Sequence, residues 1–180
     1  MGKTKTSLHS AQVLSPGRRT LFRPERSRYV RKEHPDKSCV FCKSNSLLDN
    51  LDSLCVFYSK HSMIIVNKFP YNSGHLLVLP RRHCGSLFEL TDKEFSDLHE
   101  TLKIAARAVR DVYDPKGMNV GMNHGAAAGA GIPKHIHYHV VPRWAGDLNF
   151  FPLLTQTKVV IETAEESCLK YIKYFKKKRS

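Results

Sequence analysis

"KHIHYHVVPRW", residues 134–144, sets His135, His137 and His139 at every second position among Ile136, Tyr138, Val140 and Val141. Alternation of period two is strand language, because successive side chains point to opposite faces. The three imidazoles then share one face at spacings of about 6.5 Å. Ile136, Tyr138 and Val140 face the other way, toward a core. A strand with one apolar face and one face of three histidines does chemistry, binds a metal, or does both. A merely solvated face would be served as well by Thr, Lys or Glu.

Other strands are legible on either side. "CVFYSKHSMIIVN" (55–67) reads as two short strands, the second being Met63–Asn67, and "HLLVLP" (75–80) is another. The Pro-, Asn- and Gly-rich "FPYNSG" between them is a turn. "GMNVGMN" (117–123) is a further strand, and "TKVVIE" (157–162) offers a last one. Between them lies the clearest helix. Thr91 and Glu94 have capping-box spacing, and Phe95, Leu98, Leu102, Ala105, Val109 and Val112 repeat down one face until Asp114-Pro115 stops it. Thr163 and Glu166 repeat the capping spacing ahead of "AEESCLKYIKYF". The sum is an α+β fold, an antiparallel sheet with a long helix packed across it.

The chain has 180 residues, 41% of them hydrophobic, which fits one domain with tails and a core that needs no disulfides. No apolar run approaches a membrane span, and "MGKTKTSLHSAQ" lacks the apolar centre of a signal peptide. Five cysteines, two of them spaced as C-x-x-C, point to a reducing cytoplasm and a metal or redox pair. The net charge of +13 belongs to the ends. Residues 1–37 carry ten Lys/Arg against three acids, and residues 170–180 carry six and none, so the middle is neutral. We expect a disordered basic tail over 1–20, a domain over 21–172 with "LFRPERSRYVRK" packing on its core, and a basic tail over 173–180. Such tails can touch nucleic acid weakly or serve only solubility.

The Gly/Ala-rich "HGAAAGAGIP" before the histidines lets backbone N–H groups approach an anion, Asn123 adds an amide, and Arg143 has the parity of the histidines. Cys39 and Cys42 of "CVFC" suit a tetrahedral metal that needs two further ligands; Cys84, His99 and His124 are among the residues able to serve. Cys55 and Cys168 sit in apolar contexts and read as core, His61 and His9 as surface.

"HIHYHVV" has the pattern His-φ-His-φ-His-φ-φ, with φ apolar, and the chain resembles the histidine-triad nucleotide-binding enzymes. "CVFC", "VNKFPYNSGHLLVLPRRH", the long helix, "GMNHGAAAGAGIPKHIHYHVVPRW" and "GDLNF" follow in that family's order. "LFRPERSRY" and "PRWAGDLNF" are similar to its bacterial branch near diadenosine tetraphosphate phosphorylases and hydrolases.

The resemblance implies a nucleotidyl transferase or hydrolase acting on nucleoside 5′-phosphate derivatives, with dinucleoside polyphosphates and adenine favoured. His137 is then the nucleophile that forms a nucleotidyl-histidine, and His139 contacts the phosphate and assists the leaving group. Asn123 and the backbone around Ala130 and Gly131 match phosphate contacts, Asn67 matches the residue that holds the ribose, and Trp144 matches a residue near the leaving nucleotide. By the same resemblance a structural zinc is held by Cys39, Cys42, His83 and His135, His75 has a structural role near the triad, and the chain forms a homodimer. Many relatives carry a Gln or Ser side chain in the loop before the triad; "AAAGAGIP" offers only backbone, so their leaving-group preference does not carry over. Two other readings remain at this point: a zinc-stabilised nucleotide or nucleic-acid binding module with little turnover, and three histidines that ligate a catalytic metal.

Overall fold

A computed structural model describes residues 39–47, 51–145 and 161–179. The segments 1–20 and "LFRPERSRYVRK", most of "TKVVIE", and "GDLNF" lie outside the described residues. Five strands form one antiparallel sheet: β1 (Cys55–Tyr58), β2 (Ser62–Val66), β3 (Leu76–Pro80), β4 (Gly117–Met122) and β5 (Tyr138–Arg143), in spatial order β1-β2-β3-β5-β4. Among the described residues the α-helices are α1 (Val40–Ser46), α2 (Asp92–Tyr113) and α3 (Ala164–Arg179). The expected α+β architecture is present, a single domain with the long helix across the sheet.

Every residue of β2 and β3 is buried, because both faces of the sheet are covered there. Ile64, Val66, Leu76, Val78 and Val140 meet α2 and α3 on one face. Met63, Ile65, Leu77 and Leu79 pack with Phe41 of α1 on the other. Two-sided burial explains why "SMIIV" and "LLVLP" read as near-continuous apolar runs rather than alternating ones.

The Thr91–Glu94 capping box starts α2, and Asp114 ends it in the left-handed region at φ 42°, before a proline that cannot continue the helix. Its buried stripe is Leu98, Thr101, Ala105, Ala108 and Val109, with Leu102 and Val112 half-buried beside it. Phe95, read from the periodicity as part of that stripe, is 44% exposed. Thr101 and Ala108 are buried on this stripe, 1% and 0% exposed.

Helix α3 starts at a second reciprocal cap: Thr163 N–H donates to Glu166 Oε2 at 2.8 Å, and Glu166 N–H to Thr163 Oγ1 at 3.1 Å. It does not end where the basic run begins. Residues 173–179 are its last turns, Phe175 is buried in the main core, and Tyr174 OH donates to Asp111 at 2.8 Å. The boundary expected at 172 therefore falls inside a helix whose apolar Cys168, Tyr171 and Phe175 line one face. Lysines near a helix C-terminus also suit its negative dipole end.

The histidine run enters the sheet later than its alternation predicts. Regular pairing starts at Tyr138, so only His139 of the three lies in the ladder, opposite Gly121 and Leu77. Residues 135–137 use their backbone otherwise: His135 N–H donates to Ile132 O, and Ile136 N–H to Cys84 O at 2.8 Å. The expected facing survives. Tyr138 and Val140 point to the helix layer, while His139 shares the face of Leu77 and Phe41.

The turn from β2 to β3 is fixed from behind. Gly74 takes φ +76°, and a Cβ there would lie 2.7 Å from the Tyr113 ring, so only glycine fits. Tyr171 OH donates to Gly74 O at 2.7 Å, and Asn72 Nδ2 to Pro142 O at 2.8 Å. This turn delivers Asn67, Tyr71 and His75 to the site.

Candidate active site

Cys39 caps the N-terminus of α1 and Cys42 lies in its first turn. Their sulfurs meet His83, from the segment after β3, and His135. The four ligand atoms lie within 4.8 Å of one another. Cys39 Sγ to His135 Nδ1 is 3.4 Å, Cys42 Sγ to His83 Nδ1 is 3.3 Å, and Cys42 Sγ to His135 Nδ1 is 3.7 Å. Tetrahedral ligands around an ion with metal–S near 2.3 Å and metal–N near 2.0 Å stand about 3.5 Å apart, so these edges fit one ion. His135 Nε2–H donates to Pro80 O at 2.8 Å, which fixes the tautomer and leaves Nδ1 as a ligand lone pair. Arg81 Nε donates to Asn45 Oδ1 at 2.9 Å and so ties the His83 segment to α1. Burial and the neighbouring Cys39 push the Cys42 thiol up, a cost that a cation would offset. The other residues considered as ligands are placed elsewhere. Cys84 Sγ donates to Ser86 O, His99 lies between Phe95 O and Tyr138 OH, and His124 lies against Ser86 Oγ.

His135 serves the neighbouring histidine too. Its carbonyl accepts from His137 Nδ1–H at 2.9 Å, so the Nε2 of His137 keeps its lone pair. Burial lowers the His137 pKa, which keeps the ring neutral near pH 7. Phe41, the residue between the cysteines' flanks, packs its ring 5.4 Å from that of His135 and 5.0 Å from that of His137.

His139 carries the opposite tautomer. The backbone N–H of Tyr71 donates to His75 Nδ1 at 3.0 Å, and Asn67 Nδ2 approaches the same nitrogen at 3.2 Å. A neutral His75 must then hold its proton on Nε2, which lies 3.0 Å from His139 Nδ1. His139 accepts there and presents Nε2–H outward. Burial, with the charges of the neighbouring His139 and His137, lowers His75 to about 3; burial and the His137 charge lower His139 to about 4. The result is a lone pair on His137 and a proton on His139, with ring centroids 5.0 Å apart. His75, expected to have a structural role near the triad, lies hydrogen-bonded to His139, and Tyr71, which the sequence reading did not single out, lies beside both. The available signal was a histidine opening an otherwise apolar strand, where it is fully buried.

A cavity of about 410 Å³ opens beside His139. Asn123 and Arg143 line it, as the parity of Arg143 predicted, and Tyr71 stacks on His139 with centroids 5.6 Å apart. Asn67 is half-buried; its Oδ1 accepts from Phe69 N–H, and its amide faces His75. The Ala126–Ala128 turn closes the glycine loop on itself, and Ala130 N–H reaches Gly125 O at a long 3.3 Å, while Gly131 is exposed. Trp144 is half-buried with its ring edge-on to Tyr113 at 6.5 Å and is not among the cavity-lining residues. Cys168 is core, as expected, and Cys55 and His61 are half-buried.

Residues 49–146 match the HIT domain. The chain belongs to the HIT family. Over 113 residues this HIT protein is 41% identical to the AP-4-A phosphorylase of Mycobacterium tuberculosis, an alignment covering 63% of this chain and 58% of that one. It is 35% identical over 95 residues to the bis(5′-nucleosyl)-tetraphosphatase (asymmetrical) of Schizosaccharomyces pombe, with 52% of each chain covered. The chain thus spans between half and three-fifths of these relatives. Its fold superposes with a TM-score of 0.62 on a zinc-bound histidine triad family protein from Mycobacterium smegmatis, 27% identical, covering 79% of this chain and 96% of that one. Among the described residues no helix is long and apolar enough to cross a membrane.

Proposed function

We propose that this HIT protein is a nucleotidyl transferase or hydrolase that cleaves nucleoside 5′-phosphate derivatives through a nucleotidyl-His137 intermediate. The observation that carries this reading is the pair of opposed tautomers. His137 Nε2 holds a lone pair because its one N–H, on Nδ1, donates to His135 O, and His139 Nε2 holds a proton because its Nδ1 accepts from His75. A nucleophile and a hydrogen-bond donor side by side are what attack at phosphorus needs. His137 Nε2 forms a bond to the α-phosphorus as the bond to the leaving-group oxygen breaks. His139 Nε2–H donates to the oxygens where charge develops. Water or inorganic phosphate then takes the nucleotidyl group and frees His137.

Dinucleoside polyphosphates with adenine are the favoured substrates, supported by the names of the two relatives above. Asn123 supplies an amide to the phosphates, with the backbone around Ala130 and Gly131 opening from its internal bonds as the ligand binds. Asn67 orients the ribose end, while Trp144, packed beside Tyr113 outside the cavity, is given no contact to the leaving nucleotide. A binding module would need neither the lone pair nor the relay that sets it.

Cys39, Cys42, His83 and His135 would hold zinc, which their donor set and spacing fit, and a bound ion would tie together α1, the His83 segment and the His135 backbone. A homodimer through α2 and β4 agrees with the exposure of Phe95 on α2 and Val120 on β4. The basic residues of 1–37 and 170–180 make weak nucleic-acid contacts, and the protein works in the cytoplasm.

The test is product release from a dinucleoside tetraphosphate, with and without inorganic phosphate. A nucleoside 5′-monophosphate marks hydrolysis and a nucleoside 5′-diphosphate marks phosphorolysis. Absence of both, in folded metal-replete protein, rejects the reading.

A further inference from the structure

The cavity extends well past His139, the histidine of the triad that lines it. Its lining runs along β4 from Asn119 through Val120, Gly121 and Met122 to Asn123 just beyond the strand, and takes alternate residues of β5, His139, Val141 and Arg143. Gly121 pairs with His139, and nothing lies within 4 Å of where its Cβ would stand, so the floor there is open backbone. Arg143 lies four strand residues from His139, about 13 Å along the sheet. Its Nη1 donates to Asn119 Oδ1 at 2.9 Å. With that oxygen engaged, what Asn119 offers the cleft is its amide N–H pair. Among the described residues, none lining the cavity carries a carboxylate. A cleft with histidine and amide donors at one end, guanidinium and amide donors at the other, and a glycine floor between them is shaped for a linked run of anionic groups.

We propose that Arg143 and Asn119 form a distal phosphate subsite that binds the leaving-group phosphates of the substrate and makes the enzyme prefer polyphosphate leaving groups over short ones. This rests on the nucleotidyl-transfer reading above and adds to it a determinant of leaving-group length. Arginine suits the role because its planar fork pairs with two phosphate oxygens at once. The subsite also fills the gap left by the Ala-rich loop, which brings no polar side chain of its own to that side.

The test compares wild type with Arg143→Gln on two substrates: a dinucleoside tetraphosphate, and a nucleoside 5′-phosphoramidate whose leaving group carries no phosphate. The expected result is a loss of about tenfold or more in kcat/KM for the tetraphosphate. The phosphoramidate should change by less than about threefold. Arg143→Lys, which keeps charge without the fork, should recover part of the loss. Equal losses on both substrates, or no loss on either, would overturn the proposal. Binding of inorganic tripolyphosphate, measured by calorimetry on the same proteins, reads the subsite without turnover. Weakened tripolyphosphate binding in Arg143→Gln supports the subsite even if wild type turns over neither substrate, an outcome that would sink the transfer reading alone. Unchanged tripolyphosphate binding sinks the subsite.

Discussion

Replacing His75 by Phe tests the relay that sets the His139 tautomer. An aromatic ring is kept, larger than the imidazole and at a fully buried position, but the Nε2–H that meets His139 Nδ1 at 3.0 Å is gone. The Nδ1 that accepts from Tyr71 N–H and faces Asn67 Nδ2 is gone too. A buried polar group that loses its partner costs about 1–3 kcal/mol. For His139 that energy no longer favours Nε2–H over Nδ1–H, so a comparable part of the transition-state stabilisation should disappear. The expected fall in kcat/KM is roughly 10- to 100-fold at pH 7. The orphaned Tyr71 and Asn67 donors should lower stability by about another 1–3 kcal/mol, which denaturant unfolding reads separately. His75→Gln offers both an acceptor and a donor and should regain part of the activity. Nitrogen-15 spectra of His139 should show Nε2–H in wild type and a mixed tautomer in His75→Phe. A folded His75→Phe protein with turnover within about threefold of wild type would refute the relay.

Acid should destabilise the fold through the same histidine. His75 sits at about 3 in the folded protein against an ordinary 6.5, so the unfolded chain binds its proton first. The stability that neutral His75 contributes is complete above pH 6.5 and is lost as pH falls toward 3, about 2 kcal/mol by pH 5; a flat unfolding free energy between pH 7 and 5 would contradict this. Truncation after Ile172 removes the buried Phe175 and the Tyr174–Asp111 bond. It should cost about 3 kcal/mol or more and lower the melting temperature, whereas a dispensable tail would leave it unchanged. Removing the metal should lower stability and also slow turnover, because His135 is both a ligand candidate and the acceptor that orients His137. Elemental analysis should find one zinc per chain, absent from Cys42→Ser; metal-free protein with full stability and turnover would exclude the site.

Local chemistry was readable where a short stretch determines it. The Thr91–Glu94 cap, the two-sided apolar runs of β2 and β3, and the parity of His139 with Arg143 all follow from neighbours within a few residues. Periodicity could not tell Phe95 from Thr101, because which side of a broad stripe touches the sheet depends on how the helix crosses it. It also could not show that "KKKR" continues α3, since charge reads as solvation while helix propensity and the buried Phe175 hold that turn. The relay was out of reach for a related reason: His75 and His139 are 64 residues apart, and their bond exists only once β3 pairs with β5. The four-ligand cluster, spread over three segments from Cys39 to His135, was accessible from the sequence only through family resemblance.

The central claim is covalent chemistry at His137. The direct measurement is rapid acid or base quench during turnover of a dinucleoside tetraphosphate, followed by mass spectrometry of the intact chain and its peptides. The account predicts a mass gain of one nucleotidyl group, mapped to His137, that forms before product and disappears as substrate is consumed, together with loss of both adduct and turnover in His137→Ala. An unmodified His137 throughout turnover, with His137→Ala still active to within a few fold, would contradict it.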